Sequence, residues 1–361
     1  MAQAKKKRHW LSRLSFGTVA LGVSGLLVMS YLSMVVDPAK AWFFTLFGLL
    51  YPLLGLVTAL FLLWALVRRA KVWKVLAVVL LPSLFLMGKY YQFHGSADAT
   101  PPTLKIVSYN VGLFAHGPAG MDRMVLADSL CAYLRRLDAD ILCLQEFRLP
   151  ESRNMQEYLR RQFPGYRADL YTLTWSSGPV GNVTLSRLPV TGKGKISFDR
   201  STNMALYTDV RLDSSAVRVY NCHFESYNIS LSGLVKNLTD EEKVEQTGRK
   251  MRRSIRERPK QVAEVMKDVD SAPVRSVVAG DFNDTPLSYT CFRLLRGRHD
   301  SFVRAGKGFG ATYSSLWPLL RIDYILYPKD LEAVSYRVDK VRYSDHYPVI
   351  ASYYETGRNP R

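Results

Sequence analysis

Residues 41–67 run for 27 positions without an Asp, Glu, Lys or Arg. That run restricts the fold more than anything else in the sequence. It exceeds the roughly 18–20 apolar residues that cross a bilayer's hydrocarbon core. A helix apolar on every face suits a membrane or a deeply buried core, not a surface. A second uncharged run covers residues 16–36. A weaker one, 72–88, contains Lys74 near its start and Pro82 inside it, and a lysine near the end of a span can snorkel to the interface. The sequence therefore predicts an N-terminal membrane anchor over residues 1–90, with two to three transmembrane helices at about 16–36, 41–67 and 72–88. The basic start Lys5-Lys6-Lys7-Arg8 would also suit a signal peptide. However, the run that follows is long for a signal core and more apolar sequence comes directly after it.

Charge sets the expected topology. Basic residues cluster at 5–13 and again at Arg68, Arg69, Lys71 and Lys74, while the loop 37–40 is nearly neutral. The positive-inside tendency holds both clusters in the cytoplasm. Three spans put residue 90 onward outside the cytoplasmic membrane, and two put it inside. The three-span reading predicts an integral protein of the cytoplasmic membrane with an extracytoplasmic domain. Residues 91–102 carry Gly, Ser, Asp and Thr and end in Pro101-Pro102, which reads as a linker.

Residues 1–100 hold 11 of the 49 Lys/Arg and two of the 31 acids, leaving 38 basic and 29 acidic residues, net +9, beyond them. That excess suits an anionic partner such as a phosphate ester, nucleic acid or acidic lipid, without choosing among them. The four cysteines, Cys131, Cys143, Cys222 and Cys291, form no CxxC pair and no zinc-like spacing. They read as small buried hydrophobes; spacing alone does not establish a disulfide.

From residue 104 the pattern changes. Segments 104–109, 141–144, 181–186, 205–210, 217–223, 274–279 and 322–326 read as strands. Residues 124–137 read as a helix with Val125, Leu126, Leu130, Leu134 and Leu137 at helical spacing, and Pro259 as the first residue of another. The alternation predicts an α/β layered domain over 103–355, followed by a tail, 356–361. The stretch 229–258 is long for a connection. Thr239 and Glu242 have capping-box spacing. A basic run follows: Arg249, Lys250, Arg252, Arg253, Arg256 and Arg258. It reads either as a solvated helical excursion or as a basic flap meeting anionic lipid or a polyanionic substrate.

Hydrolysis of a phosphate ester needs a cation to offset the phosphate charge, a positioned water, and amide or imidazole donors for the non-bridging oxygens. Acids, Asn and His at strand ends are therefore informative, since open α/β sites lie there. Five places qualify. The strands end in Asn110, in Gln145-Glu146, in His223 and in Gly280-Asp281-Phe282-Asn283, and Ile322-Asp323-Tyr324 precedes Ser344-Asp345-His346. Each alone is weak, because such residues also make ordinary turns and caps.

As an ordered set, Ser108-Tyr109-Asn110, Leu144-Gln145-Glu146, Ser186-Arg187-Leu188-Pro189, Asn221-Cys222-His223, Gly280-Asp281-Phe282-Asn283, Ile322-Asp323-Tyr324 and Ser344-Asp345-His346 resemble the endonuclease/exonuclease/phosphatase superfamily. That superfamily includes DNase I, abasic-site endonucleases, inositol-polyphosphate 5-phosphatases and neutral sphingomyelinases. The resemblance covers residues 103–355. It implies a four-layer α/β sandwich, two packed mixed β-sheets flanked by helices, here preceded by transmembrane helices. It implies Mg²⁺ or Mn²⁺ as cofactor, with Glu146 as principal metal ligand, Asn110 beside it, and Asp345 as a ligand or as the partner of His346. Asp281 would orient or deprotonate the attacking water, and Asn283 would hold that water or a phosphate oxygen. His223 would contact the phosphate, His346 would be a phosphate-side donor, and Asp323 would orient a histidine or serve a second metal. Asn182 and Arg187 are weaker candidates for substrate binding, and Thr312 for lining the cleft.

The expected function is a membrane-anchored, divalent-metal-dependent phosphoesterase acting on a diester or monoester, with a lipid headgroup as one substrate class. A nuclease acting on DNA or RNA is the alternative, and an inactive membrane-bound binding module is a third reading. Nothing in the sequence fixes an oligomeric state.

Overall fold

Strand alternation decides the layering of the catalytic region. Val217 and Val219 point one way along their strand and are fully buried, while Arg218 and Tyr220, which alternate with them, both reach Asp268 on a helix. One face of this sheet thus meets a second sheet and the other carries a helix. In this computed structural model the described residues are 2–94, 102–118, 120–175, 178–212, 215–227 and 240–355.

The chain divides into two compact units, one of residues 1–88 with Thr285–Phe292, the other of the remainder. The first contains α1 (Ala2–Leu32), α2 (Phe43–Leu49), α3 (Tyr51–Val67) and α4 (Trp73–Leu86). Ala20, Ala65 and Leu76 form its small buried centre, and Phe16 stacks on Phe61. Tyr31 Oη donates to Val79 O at 2.9 Å. Large apolar side chains also face outward, among them Leu60, Leu63, Val67, Leu84 and Phe85.

The uncharged run 41–67 is not one helix. It breaks at Leu50 into α2 and α3, which meet at 66°. Pro52 accounts for the break: it has no N–H for the Gly48 carbonyl, and its ring crowds that carbonyl. Residues 72–88 yield only the 14 residues of α4, with Pro82 inside. Among the described residues, no single helix is long and apolar enough to cross a membrane, although the bent α2–α3 pair passes when taken together.

The second unit begins with β1 (Tyr91–Phe93), which pairs antiparallel with β11 (Lys307–Phe309). The expected linker therefore includes a short strand. Two six-stranded mixed sheets follow. The first is ordered β13-β14-β2-β3-β5-β4, from β2 (Leu104–Asn110), β3 (Ile141–Arg148), β4 (Arg167–Trp175), β5 (Gly178–Ser186), β13 (Leu331–Val338) and β14 (Val349–Glu355). The second is ordered β10-β12-β9-β8-β7-β6, from β6 (Val190–Ser197), β7 (Met204–Arg211), β8 (Ala216–His223), β9 (Arg275–Asp281), β10 (Arg298–Asp300) and β12 (Asp323–Pro328). Ile106, Ile141, Cys143 and Ala351 of one sheet pack with Val217, Val219, Val277 and Ile325 of the other. On the outer face of the first sheet lie α5 (Arg123–Arg136) and α6 (Met155–Gln162), which bury Leu126, Leu130, Leu134, Tyr158 and Leu159. On the outer face of the second lies α7 (Glu241–Ser271). Two short helices follow in the chain, α8 (Tyr289–Leu294), most of which belongs to the first unit, and α9 (Ser301–Ala305).

Pro259 does not open a helix. It lies inside α7, which starts eighteen residues earlier at an Asp240 cap that accepts from Lys243 N at 3.1 Å. The Asp240 cap and the acidic first turn Glu241-Glu242 start the helix before the proline is reached. Thr239 lies outside the described residues. All four cysteines are free and buried, and burial pushes the Cys131 and Cys143 thiols up to about 12, so they are inert at neutral pH.

Register aligns the chemistry. β2 and β3 run parallel with Asn110 opposite Gln145, and β8 and β9 run parallel with His223 opposite Asp281. β12 starts at the same level, with Asp323 opposite Asp281. Gly280 is required there. It has φ +138°, and a Cβ would lie 1.9 Å from the Cys222 carbonyl oxygen. Gly280→Ala should therefore lower unfolding stability by about 3 kcal/mol, read from a denaturant titration. A change within error would mean that this strand pair gives way easily.

Candidate active site

Asp281 is the hub of the rim where these strands end. Its Oδ2 accepts from Asn110 Nδ2 at 2.9 Å and from Asn283 Nδ2 at 3.1 Å, and its Oδ1 accepts from the Asn283 N–H at 2.8 Å. Two imidazoles face it: His223 Nε2 and His346 Nε2 each stand 3.8 Å from Oδ2. Burial pushes the Asp281 carboxyl above the usual carboxylate range. His346 opposes that shift, Asp323 adds to it, and His223 and Asn110 oppose it.

His346 is held from its other side by Asp323, whose Oδ2 is 3.0 Å from Nδ1. Thr312 holds Asp323 in turn: its Oγ1 accepts from the backbone N–H groups of Ile322 and Asp323. Thr312 is fully buried and does not line the cleft, because its hydroxyl is committed to that turn. Burial alone would lower the His346 pKa. Asp323, and then Asp281, outweigh it and raise the value to about 10, as paired carboxylates do for an imidazolium. The orienting carboxylate is thus Asp323, whereas Asp345 turns away: its Oδ1 accepts from Ser344 Oγ at 3.2 Å and lies 3.3 Å from His116 Nε2.

Glu146 sits in an irregularity of β3, at φ +53°, where the pairing with β5 shifts register between Leu144 and Phe147. The left-handed backbone costs energy for a residue with a Cβ, and it swings the carboxylate to the rim. Its Oε1 accepts from Asn110 Nδ2 at 3.2 Å and lies 3.6 Å from His223 Nε2. Asn110 was expected to be a metal ligand. Its side-chain oxygen accepts the Gly112 N–H at 3.0 Å, which leaves the amide nitrogen facing Glu146 and Asp281. The amide nitrogen donates to both, so Asn110 bridges the two carboxylates. Asn283, also at positive φ (+50°), directs its amide nitrogen to Phe224 O and Asp281, and braces those groups.

The donor set fits a hard divalent cation. Among the described residues, the carboxylates of Asp281 and Asp323 cluster with His346 within 4.8 Å, all buried. Asp323 Oδ1 is buried without a hydrogen-bond partner, and Glu146 supplies a further carboxylate beside Asp281. Carboxylate oxygens of this kind suit Mg²⁺ or Mn²⁺.

Asn182 lies across from the β3 irregularity that carries Glu146, whereas Arg187 lies at the other end of that strand. Asn182 is buried between the sheets and donates to the backbone oxygens of Met204 and Asn221, a structural use. Arg187 follows Ser186, which pairs with Ile141 at the far end of β3, and it bonds Asp138. The length of β3 separates it from Glu146. Three residues near the site were given no place in it by the sequence, Arg258 having been read only as part of a basic run. Tyr313 bridges the backbone of His346 and sets its ring edge on the imidazole, centroids 5.4 Å apart. Gln261 accepts the Glu225 N–H at 2.8 Å. Arg258 is 1% exposed; it donates twice to Glu225 O and pairs with Asp284 at 3.0 Å. Arg258 and Gln261 thus clamp the loop after His223, and Arg258 also holds the residue after Asn283. A signal was present: Arg258, Val262, Val265 and Met266 share one helix face.

Residues 107–346 match the model of the "Endonuclease/Exonuclease/phosphatase family". Residues 12–90 match a "Domain of unknown function (DUF8431)". No curated protein matches the chain. Among solved structures, an endonuclease/exonuclease/phosphatase from Beutenbergia cavernae superposes with TM-score 0.53 at 19% identity, covering 70% of this chain and 72% of that one. The human Nocturnin catalytic domain with bound sulfate gives 0.52 at 17%, covering 71% and 94%. D. rerio TDP2 complexed with a single-strand DNA product gives 0.50 at 20%, covering 69% and 98%. At these identities the likeness is one of fold.

Proposed function

The chain belongs to the endonuclease/exonuclease/phosphatase family, whose members are metal-dependent hydrolases of phosphoester bonds, and from that premise we propose a membrane-anchored phosphoesterase acting on a diester or monoester, with a lipid headgroup as the favoured class. The catalytic part rests on one observation: Asp281 stands buried between two imidazoles, tied by amide hydrogen bonds to Asn110 and Asn283. A buried carboxylate with a raised pKa is suited to taking a proton from water. His346, kept protonated by Asp323, donates to a non-bridging phosphate oxygen or to the leaving oxygen. His223 contacts the phosphate from the Glu146 side. Glu146, with Asp323 or Asp345, would hold Mg²⁺ or Mn²⁺, which when bound offsets phosphate charge and acidifies water.

The anchoring part is supported by the apolar N-terminal helices. Their outward-facing Leu60, Leu63, Val67, Leu84 and Phe85 would find an apolar environment in a bilayer, and the α2–α3 pair reaches spanning length when taken together. We place the catalytic region on the extracytoplasmic face, from the charge asymmetry of residues 1–90.

The test is a Mg²⁺ and Mn²⁺ activity panel on the full chain in detergent, with Glu146→Ala as the blank. It compares a sphingomyelin-type lipid, inositol phosphates, a chromogenic phosphodiester and plasmid DNA. The expected result is metal-dependent cleavage of the chromogenic diester and of the lipid headgroup, absent from the blank. Cleavage of DNA without lipid activity would replace the lipid reading with a nuclease. A reporter fused to the C-terminus reads the membrane side.

A further inference from the structure

The N-terminal half of α7 stands beyond the catalytic rim. β8 and β9 both run toward the rim, and α7 connects them, so it runs back from the rim toward the start of β9. Arg258 marks the level of the rim, because it holds Glu225 O and Asp284, the residues just past His223 and Asn283. From Arg258 to the helix end is about 20 Å at ~1.5 Å per residue, which matches the length of β9 at ~3.3 Å per residue. The part before Arg258 therefore projects some ~25 Å further.

Most side chains along that projection are exposed. The buried residues of α7 begin at Ser254, and Lys243, Arg249, Lys250, Arg252, Arg253 and Arg256 are exposed. Arg249 is paired with Glu245 at 2.7 Å on the surface. From Gln246 to Arg256 there is no acid. Arg249 and Arg253 stand four residues apart, a spacing at which like charges disfavour a helix. An exposed helix of this one-sided charge gains from an opposing anionic surface.

We propose that this arm seats the catalytic rim on an anionic phospholipid surface. Residues 241–257 contain no aromatic side chain, so the arm offers bases no stacking platform of the kind single-strand binders use. A plane of acidic headgroups asks only for charge, and each Lys or Arg near such a plane strengthens adsorption about fivefold. The proposal rests on the membrane-anchored reading above: a tethered catalytic region stays close to a bilayer.

Amide exchange of the full chain tests it, in nanodiscs of phosphatidylcholine alone and of phosphatidylcholine with phosphatidylserine. Peptides within 241–256 should exchange about tenfold more slowly with phosphatidylserine, and high salt should remove the difference. The R249E/K250E/R252E/R253E variant should lose this protection while hydrolysing the chromogenic diester normally, which shows the catalytic centre intact. Equal exchange in both discs overturns the proposal. So does stronger protection by a single-stranded oligonucleotide than by the anionic discs, which makes the arm a nucleic-acid contact. If the chain leaves the discs on gel filtration, the anchor reading fails. The arm is then judged by sedimentation of the chain with vesicles of the same two compositions, where only phosphatidylserine-dependent binding supports it.

Discussion

Asp281→Asn should lower turnover of the chromogenic diester by about 10³–10⁴-fold without lowering the unfolding temperature. The two halves of this expectation have separate causes. The carboxylate bonds to Asn110 and Asn283 and faces both imidazoles at 3.8 Å. An amide there accepts no proton from water. Folding, by contrast, gains from losing a charge that burial disfavours. Catalytic groups held in costly environments commonly show this opposition of stability and activity. Turnover within tenfold of wild type would remove Asp281 from the proton-handling role. A large fall in unfolding temperature would show that the carboxylate is instead a structural brace.

His346→Ala should cost about 10²–10⁴-fold in turnover, and it should also change the shape of the pH profile. The imidazole is held protonated by Asp323 and Asp281, with its pKa raised to about 10. A group raised on folding contributes stability that is fully present below its unfolded value, near 6.5. That contribution is lost as pH rises through the folded value. Wild-type activity that depends on His346 as a donor should therefore hold through neutral pH and fall on the alkaline side. The variant should lose that alkaline limb along with its activity. It should also be destabilised, since Asp323 is fully buried and would lose its partner. His346→Gln, which keeps a donor for Asp323, should recover stability but not turnover. An unchanged alkaline limb in either variant would assign it to another group.

The candidate site was more legible in the sequence than its support. Asn110, Glu146, His223, Asp281 and Asp323 stand at strand ends, and a strand end followed by a polar residue is a local pattern. Their convergence depends on two parallel pairings and on packing between sheets, which no local pattern contains. The α/β layering of residues 103–355 followed from strand–helix alternation, whereas the pair of packed sheets followed only from the family resemblance. The N-terminal run did not follow from composition, since one proline divides 27 uncharged residues into two helices. Arg258 was hidden for a different reason. In the string it is the last of six basic residues, and charge suggests solvent. In the helix it is the one that turns onto the buried stripe, where Asp284 and a carbonyl receive it. Arg187 misled in the opposite way, because a motif neighbour in sequence lies a strand's length from the rim.

The hydrogen bond from Asn110 to Asp281 joins residues 171 positions apart, and that from Ser344 to the Asn110 carbonyl joins residues 234 apart. Both link chain segments that a growing polypeptide produces long after one another. Contacts of such sequence separation form late and slowly during folding. The hydrolytic centre therefore has no early, half-built form: it comes into being only once the last strand has docked. Recovery of activity after dilution from denaturant would accordingly report the final assembly event, and would lag behind the burial of either sheet's own core.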